Sequence, residues 1–313
     1  MADRFARRRN NARNASPSLN RFSASAAAGG CDRAGTGKPK IRAAWIVRNN
    51  RRFITNFQAV LKQCGLILTH CGPEGLIILI YCARSGMWTC RTPPNVEPDI
   101  LAAASACERA GAHGITVHLR ADRRHIQDRD VFRLRDSIIT KLNLEMGNTP
   151  DILETALQVL PDDVCLVPEN RNEVTTEGGL DVARNVETLR ATVDRLHAGG
   201  IRVSMFIEPA SEQIDACVEL GADAIELHTG RFANVMPDFR MDEVARLEAT
   251  ARYASEKGLI VNAGHGLNYT NVRLILGIPY WKEFNIGHSI VSRSIFIGLE
   301  PAVGEMLQLI AQS

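Results

Sequence analysis

The sequence predicts an α/β fold, a (β/α)8 TIM barrel with extra helices over residues 97–313, and three observations carry it. After Pro98 short apolar strands alternate seven times with amphipathic helices, the pattern of βαβ units feeding a parallel sheet. Gly-Ala or Ala-Gly pairs stand where helices should return to strands, at Ala110-Gly111, Ala198-Gly199 and Gly221-Ala222, as helix C-termini prefer. No G-x-G-x-x-G follows a first strand, which weakens the competing doubly wound open sheet.

The elements follow in order. Asp99–Gly111 reads as a helix, with Asp at its start and Gly at its end. Strand Gly114–Arg120 leads to a helix over about 130–141, and strand Leu142–Met146 to a helix over Asp151–Val159. Strand Val164–Glu169 is followed by a polar loop and a long helix over Val182–Ala198. Strand Arg202–Glu208 precedes helix Ser211–Leu220, and strand Ala224–Thr229 precedes helix Met241–Lys257. Strand Leu259–Ala263 leads to a helix over Tyr269–Leu276, and strand Glu283–Ile290 to one final helix. Seven strands fall one short of eight, so the first strand is missing or replaced by an atypical segment.

Residues 1–95 are of another character. Through Gly37 they are rich in Arg, Asn, Ser and Ala, a composition shared by transit peptides and disordered segments. From Ile41 to Cys90 apolar patches show no sustained period, and Leu76–Tyr81 is the nearest strand candidate. The whole chain has 313 residues, 45% hydrophobic and 23% charged, ordinary globular composition. A formal net charge of +2 singles out no charged partner, and neither nucleic acid nor a membrane is expected. No apolar run approaches the roughly 18 residues a bilayer span needs. The eight cysteines form no C-x-x-C pair, so free thiols in a reducing, cytoplasmic setting are expected.

In a barrel the chemistry lies at the C-terminal strand ends, and period-two alternation sorts the faces. Thr116, His118 and Arg120 share the inward face of one strand, Asn143 and Glu145 that of the next, and Glu226 and His228 that of a later one. With His265 they would place coupled acids and bases together, where pKa values move toward neutrality. Asn262-Ala-Gly-His-Gly266 and Asn285-Ile-Gly-His288 end the last two strands, where barrels commonly seat phosphate. Arg120 and His125 are placed to meet an anionic or polyhydroxy ligand, whereas Arg123 and Arg124 read as surface charge. The polar loop 168–179 offers Thr175 and Thr176, and loops of that length tend to be functional.

The segments 114–131, 143–146, 166–182, 226–231, 261–269 and 285–290 resemble, in order and spacing, the pyridoxine 5′-phosphate synthase family. The resemblance implies a (β/α)8 barrel assembled as a homo-octamer, without metal or organic cofactor. It implies condensation of 3-amino-2-oxopropyl phosphate with 1-deoxy-D-xylulose 5-phosphate to pyridoxine 5′-phosphate, inorganic phosphate and water, in vitamin B6 synthesis. By the same resemblance His118 and Glu145 accept protons and His265 donates one. Arg120, His125 and Thr175 match positions that hold the deoxyxylulose phosphate, and Gly266, Gly287 and His288 those that hold the other phosphate. Glu226 is a further candidate. The family's first strand carries Asn-x-Asp-His, with an Arg in the next loop, and no such segment precedes Pro98. Because the resemblance starts inside a βα unit, residues 1–95 are expected to come from a frame-shifted or mis-started reading of the gene. Two other readings stand. One is a metal-dependent phosphosugar epimerase or aldolase using His118, Glu145, His228 and His265 as ligands. The other is an inactive barrel with an open edge.

Overall fold

The computed structural model describes residues 99–123, 125–169 and 178–312, together with the backbone of 67–71 and 75–79. All of them fall in Asn50–Ser313, one of two compact units of the chain. Thr175, Thr176 and Arg124 lie outside the described residues, as does nearly all of the atypical segment.

Seven strands form a continuous parallel sheet: β3 (Gly114–His118), β4 (Lys141–Met146), β5 (Asp163–Leu166), β6 (Arg202–Ile207), β7 (Ala224–His228), β8 (Ile260–Gly264) and β9 (Trp281–Ile286). The remaining gap is filled by a hairpin, β1 (Ile67–Cys71) and β2 (Gly75–Leu79). β2 lies parallel to β3, starting from Ile77 against Gly114. β1 runs antiparallel to both β2 and β9, and the sheet closes. The candidate Leu76–Tyr81 therefore overlaps a real strand beside β3, and the open edge of the inactive-barrel reading is covered. One slot of the expected parallel pattern holds two strands, one of them reversed.

The helices are α1 (Ile100–Arg109), α2 (Asp128–Ser137), α3 (Pro150–Val159), α4 (Val182–Ala198), α5 (Ser211–Leu220), α6 (Gly230–Asn234), α7 (Arg240–Glu256), α8 (His288–Ile297) and α9 (Leu299–Ala311). Their starts follow local chemistry. The Asp99 carboxylate caps α1 by accepting from Leu101 N–H at 2.9 Å, Gln127 and Asp130 form a capping box on α2, and Pro150 opens α3, each satisfying or removing an orphan donor. Outward strand residues such as Ile115, Val117, Leu142, Leu144, Val203, Met205, Ile225 and Leu227 are fully buried under these helices, the main source of stability.

Several expected boundaries change, the helix over about 130–141 ending at Ser137 so that Lys141 already opens β4. The strand expected over Glu283–Ile290 ends at Ile286, and the apolar run after His288 is the first turn of α8. The final helix is two, because Gly298 turns at φ +87° between α8 and α9. Tyr269–Leu276 shortens to one 3-10 turn at Val272–Leu274, where Asn268 and Asn271 side chains take the backbone bonds that a helix would need. The barrel floor is ionic: Lys141 Nζ reaches Asp163 at 2.6 Å and also pairs with Glu283, while Arg202 meets Asp163 at 2.7 Å.

Candidate active site at the barrel mouth

The first three parallel strands bring one cluster together. His118 and Glu145 are opposite each other in the register of β3 and β4, and both are buried. One layer below, Asn143 Nδ2 donates to Thr116 Oγ1 at 3.1 Å. Beyond the end of β5, Glu169 turns back over the mouth. Its Oε1 lies 3.0 Å from His118 Nε2 and accepts from Gly147 N–H at 3.0 Å, and its Oε2 accepts from Ala121 N–H at 3.0 Å. Burial raises the Glu169 carboxyl, but the bonds from His118, Ala121 and Gly147 outweigh it and hold the group below its ordinary value. Arg120 is buried beside Asp122, with both contacts at 3.4 Å. Arg123 is no plain surface charge: at φ +49° it pins the loop to Asp128 at 3.0 Å and to Asp151 at 2.5 Å.

The later strands supply a second cluster. Glu226 is buried in the interior and accepts from the Asn285 side chain. Burial, then the nearby carboxylates Glu145 and Glu283, push its pKa well above the ordinary range. Room for it depends on Gly264, because a Cβ there would stand 1.8 Å from Glu226 Oε1. At the end of β7, His228 Nδ1 pairs with Glu208 at 2.5 Å. Glu208 also accepts from Gly179 N–H at 3.2 Å. The bond from His228 is the main reason its carboxyl is held low.

His265 follows β8 and is half-buried, edge-on to His228 with ring centroids 4.8 Å apart. Its φ of +80° is costly for a side chain other than Gly. Thr229 holds it there: the buried hydroxyl shares its proton between Gly264 O at 2.7 Å and His265 O at 2.6 Å. Burial, then His228, lower the His265 pKa to about 4, and His288 acts in the same direction. The free imidazole is therefore neutral at pH 7.

His288 begins α8, Gly287 caps it, and Gly266 takes φ +76° just after His265. Ser289 Oγ donates to Leu267 O at 3.0 Å and ties the two loops together. A glycine turn beside a helix N-terminus suits an anion. The structure thus places His118, Glu145 and Arg120 on the β3 and β4 side and Glu226, His265, Gly266, Gly287 and His288 on the β7 to β9 side, while His125 lies half-buried in the loop before α2. Three neighbours escaped the sequence reading: Glu169, Glu208 and Asn285. The first two were legible in principle, since each continues the inward alternation of its strand past Val167 and Phe206. Among the described residues no three His, Cys, Asp or Glu side chains form a metal-holding group, and the Nε2 of His118 and Nδ1 of His228 already face carboxylates.

Comparison with known proteins identifies the family. Residues 91–312 match the family described as pyridoxal phosphate biosynthesis protein PdxJ. A pyridoxine 5′-phosphate synthase of Akkermansia muciniphila is 52% identical over 217 residues, 69% of this chain and 88% of the relative. The synthase of Opitutus terrae is 54% identical over 213 residues, 67% of this chain and 86% of the relative. That of Prochlorococcus marinus strain AS9601 is 55% identical over 216 residues, 69% of this chain and 91% of the relative. With the family pattern spanning the seven parallel strands and both clusters at the mouth, the chain belongs to the PdxJ family of pyridoxal phosphate biosynthesis proteins.

Proposed function

We propose that this chain is a pyridoxine 5′-phosphate synthase, joining 3-amino-2-oxopropyl phosphate and 1-deoxy-D-xylulose 5-phosphate to give pyridoxine 5′-phosphate, phosphate and water. One observation supports it most. A buried acid–base pair, His118 and Glu145, shares a barrel mouth with His265 and with an anion seat made by Gly266, Gly287 and His288.

The chemistry needs that combination. An amine adds to a ketone and water leaves, then C–H protons must be removed, phosphate expelled and a ring closed. His118 and Glu145 accept protons in these steps, and His265 returns one to a leaving oxygen. The neutral state of free His265 fits an ordered cycle, because a phosphate dianion arriving beside Gly266 and His288 favours the imidazolium. Arg120, His125 and Thr175 hold the deoxyxylulose phosphate. Glu226, whose surroundings favour the protonated form, can in that form donate a hydrogen bond to developing negative charge.

The test is an assay of the full chain with both phosphates, following pyridoxine 5′-phosphate and inorganic phosphate. Equal amounts of the two products support the reading. Loss of turnover on chelation, with bound metal found by elemental analysis, would favour the metal-dependent aldolase or epimerase instead. Homo-octamer assembly belongs to the same proposal. Phe296, Met236, Met241 and Phe239 are 78, 67, 60 and 58% exposed, apolar surface that an assembly would cover. Light scattering on the eluted protein measures it. Among the described residues no helix is long and apolar enough to cross a membrane, and a cytoplasmic site of action is part of the proposal.

A further inference from the structure

The family pattern assigns Glu169 no role, yet its carboxylate ties two strand ends to His118. Its two oxygens take backbone N–H groups from the ends of two different strands, Ala121 after β3 and Gly147 after β4, and Oε1 also faces His118 Nε2. Its side chain is only 11% exposed. Gly147 is shaped around it, since a Cβ there would lie 2.8 Å from the Glu169 Cδ. Amide N–H groups can only donate, so the Glu169 oxygens act as acceptors toward both strands. Those donors favour the ionised carboxylate, which in its contact with His118 is then the acceptor. The imidazole must then be the donor in their contact, with its proton on Nε2 and its lone pair on Nδ1.

We propose that Glu169 is a positioning residue for His118, holding the ring in the Nε2–H tautomer so that Nδ1 is the atom that accepts the substrate proton. The inference rests on the synthase reading for its chemistry, but not for its geometry. Glu169 acts through His118 and need not touch substrate. It also joins three strand ends through one side chain, so His118 keeps its place relative to Glu145 while protons move.

The experiment uses the full chain labelled with 15N at histidine, with the His118 ring signals assigned by comparison with His118→Asn. Whenever the wild-type ring carries a single proton, that proton should be on Nε2 and not on Nδ1. Glu169→Gln presents an amide N–H where an acceptor is needed, so it should give a mixture of tautomers. Its kcat should fall by on the order of 10²-fold, the scale of a general base made ineffective, with KM for both phosphates unchanged. Glu169→Asp should recover part of kcat. Gly147→Ala, which alters no ionisable group, should disturb the same ring signals by displacing the carboxylate. A wild-type His118 whose single proton sits on Nδ1 would overturn the proposal, as would Glu169→Gln with wild-type kcat and ring signals. A wild-type chain that makes no product would sink the synthase reading alone, since the ring signals still decide the positioning role.

Discussion

Burial, then the neighbouring carboxylates Glu145 and Glu283, raise the Glu226 carboxyl, so its titration opposes folding where most carboxylates support it. In the folded chain it holds its proton to higher pH than in the unfolded chain, where it titrates near the ordinary value of 4.5. The native state therefore binds more protons, and this contribution to stability is full below that pH and is lost as pH rises toward the folded pKa. Glu226→Gln keeps an acceptor for Asn285 without the carboxyl. It is expected to raise the melting temperature at pH 8 relative to wild type and to flatten the decline between pH 5 and 8, measured by calorimetry. The pair in register across β3 and β4 gives a kinetic prediction. His118→Ala or Glu145→Ala should each lower turnover by at least about 10²-fold, as loss of a general acid or base does. Steady-state rates with both phosphates check it, and unchanged turnover would refute the roles.

The β7–α6 corner is held to the β8 loop largely by the Thr229 hydroxyl. Thr229→Val keeps the shape but removes the hydroxyl bond to His265 O and to Gly264 O, which retains only the Thr229 N–H. It should cost about 1–3 kcal/mol and let His265 relax from its left-handed backbone. Denaturant melts would show the first effect and a lowered kcat the second. The same corner shows what a sequence can and cannot reveal. The period-two placement of His118, Glu145 and Glu226 was readable because side chains alternate on any strand. So were Val182–Ala198 and Ser211–Leu220, whose apolar stripes and terminal signals agree. The Thr229 clamp was not, because it joins residues 35 and 36 positions apart through one rotatable hydroxyl. Gly264 was legible as a turn signal only, and its real reason is the carboxylate of Glu226 in the space of its missing Cβ. The end of β9 was misjudged because Ser289-Ile290-Val291 is apolar enough for either strand or helix, and only the docking of α8 decides between them.

Across the whole molecule, the hairpin supplies strands where the family pattern supplies strands and ligands together. The sequence before Pro98 lacks the Asn-x-Asp-His segment that the resemblance associates with both substrates. Replacing residues 1–96 by a first strand with that segment and its following Arg should raise kcat/KM by more than about tenfold. Each charge-assisted hydrogen bond to a phosphate is worth about 1.5–3 kcal/mol. Assays of the two chains side by side decide it. The reversed β1 has a further effect on motion. It meets β9 through three register pairs, Leu68 with Ile286, Thr69 with Asn285 and His70 with Phe284, and these join residues more than two hundred positions apart. Such a seam is a natural place for a cylinder to part, because it has three register pairs against the five of β3 and β4 and the loop it closes is long. Amide exchange at 284–286 should thus outpace that at 142–146 in the middle of the parallel wall. Since Asn285 grips Glu226 and Gly287 caps α8 just beyond it, each brief parting of the seam would loosen the anion seat. The ease with which product phosphate departs would then be set by the staves of the barrel and not by its mouth.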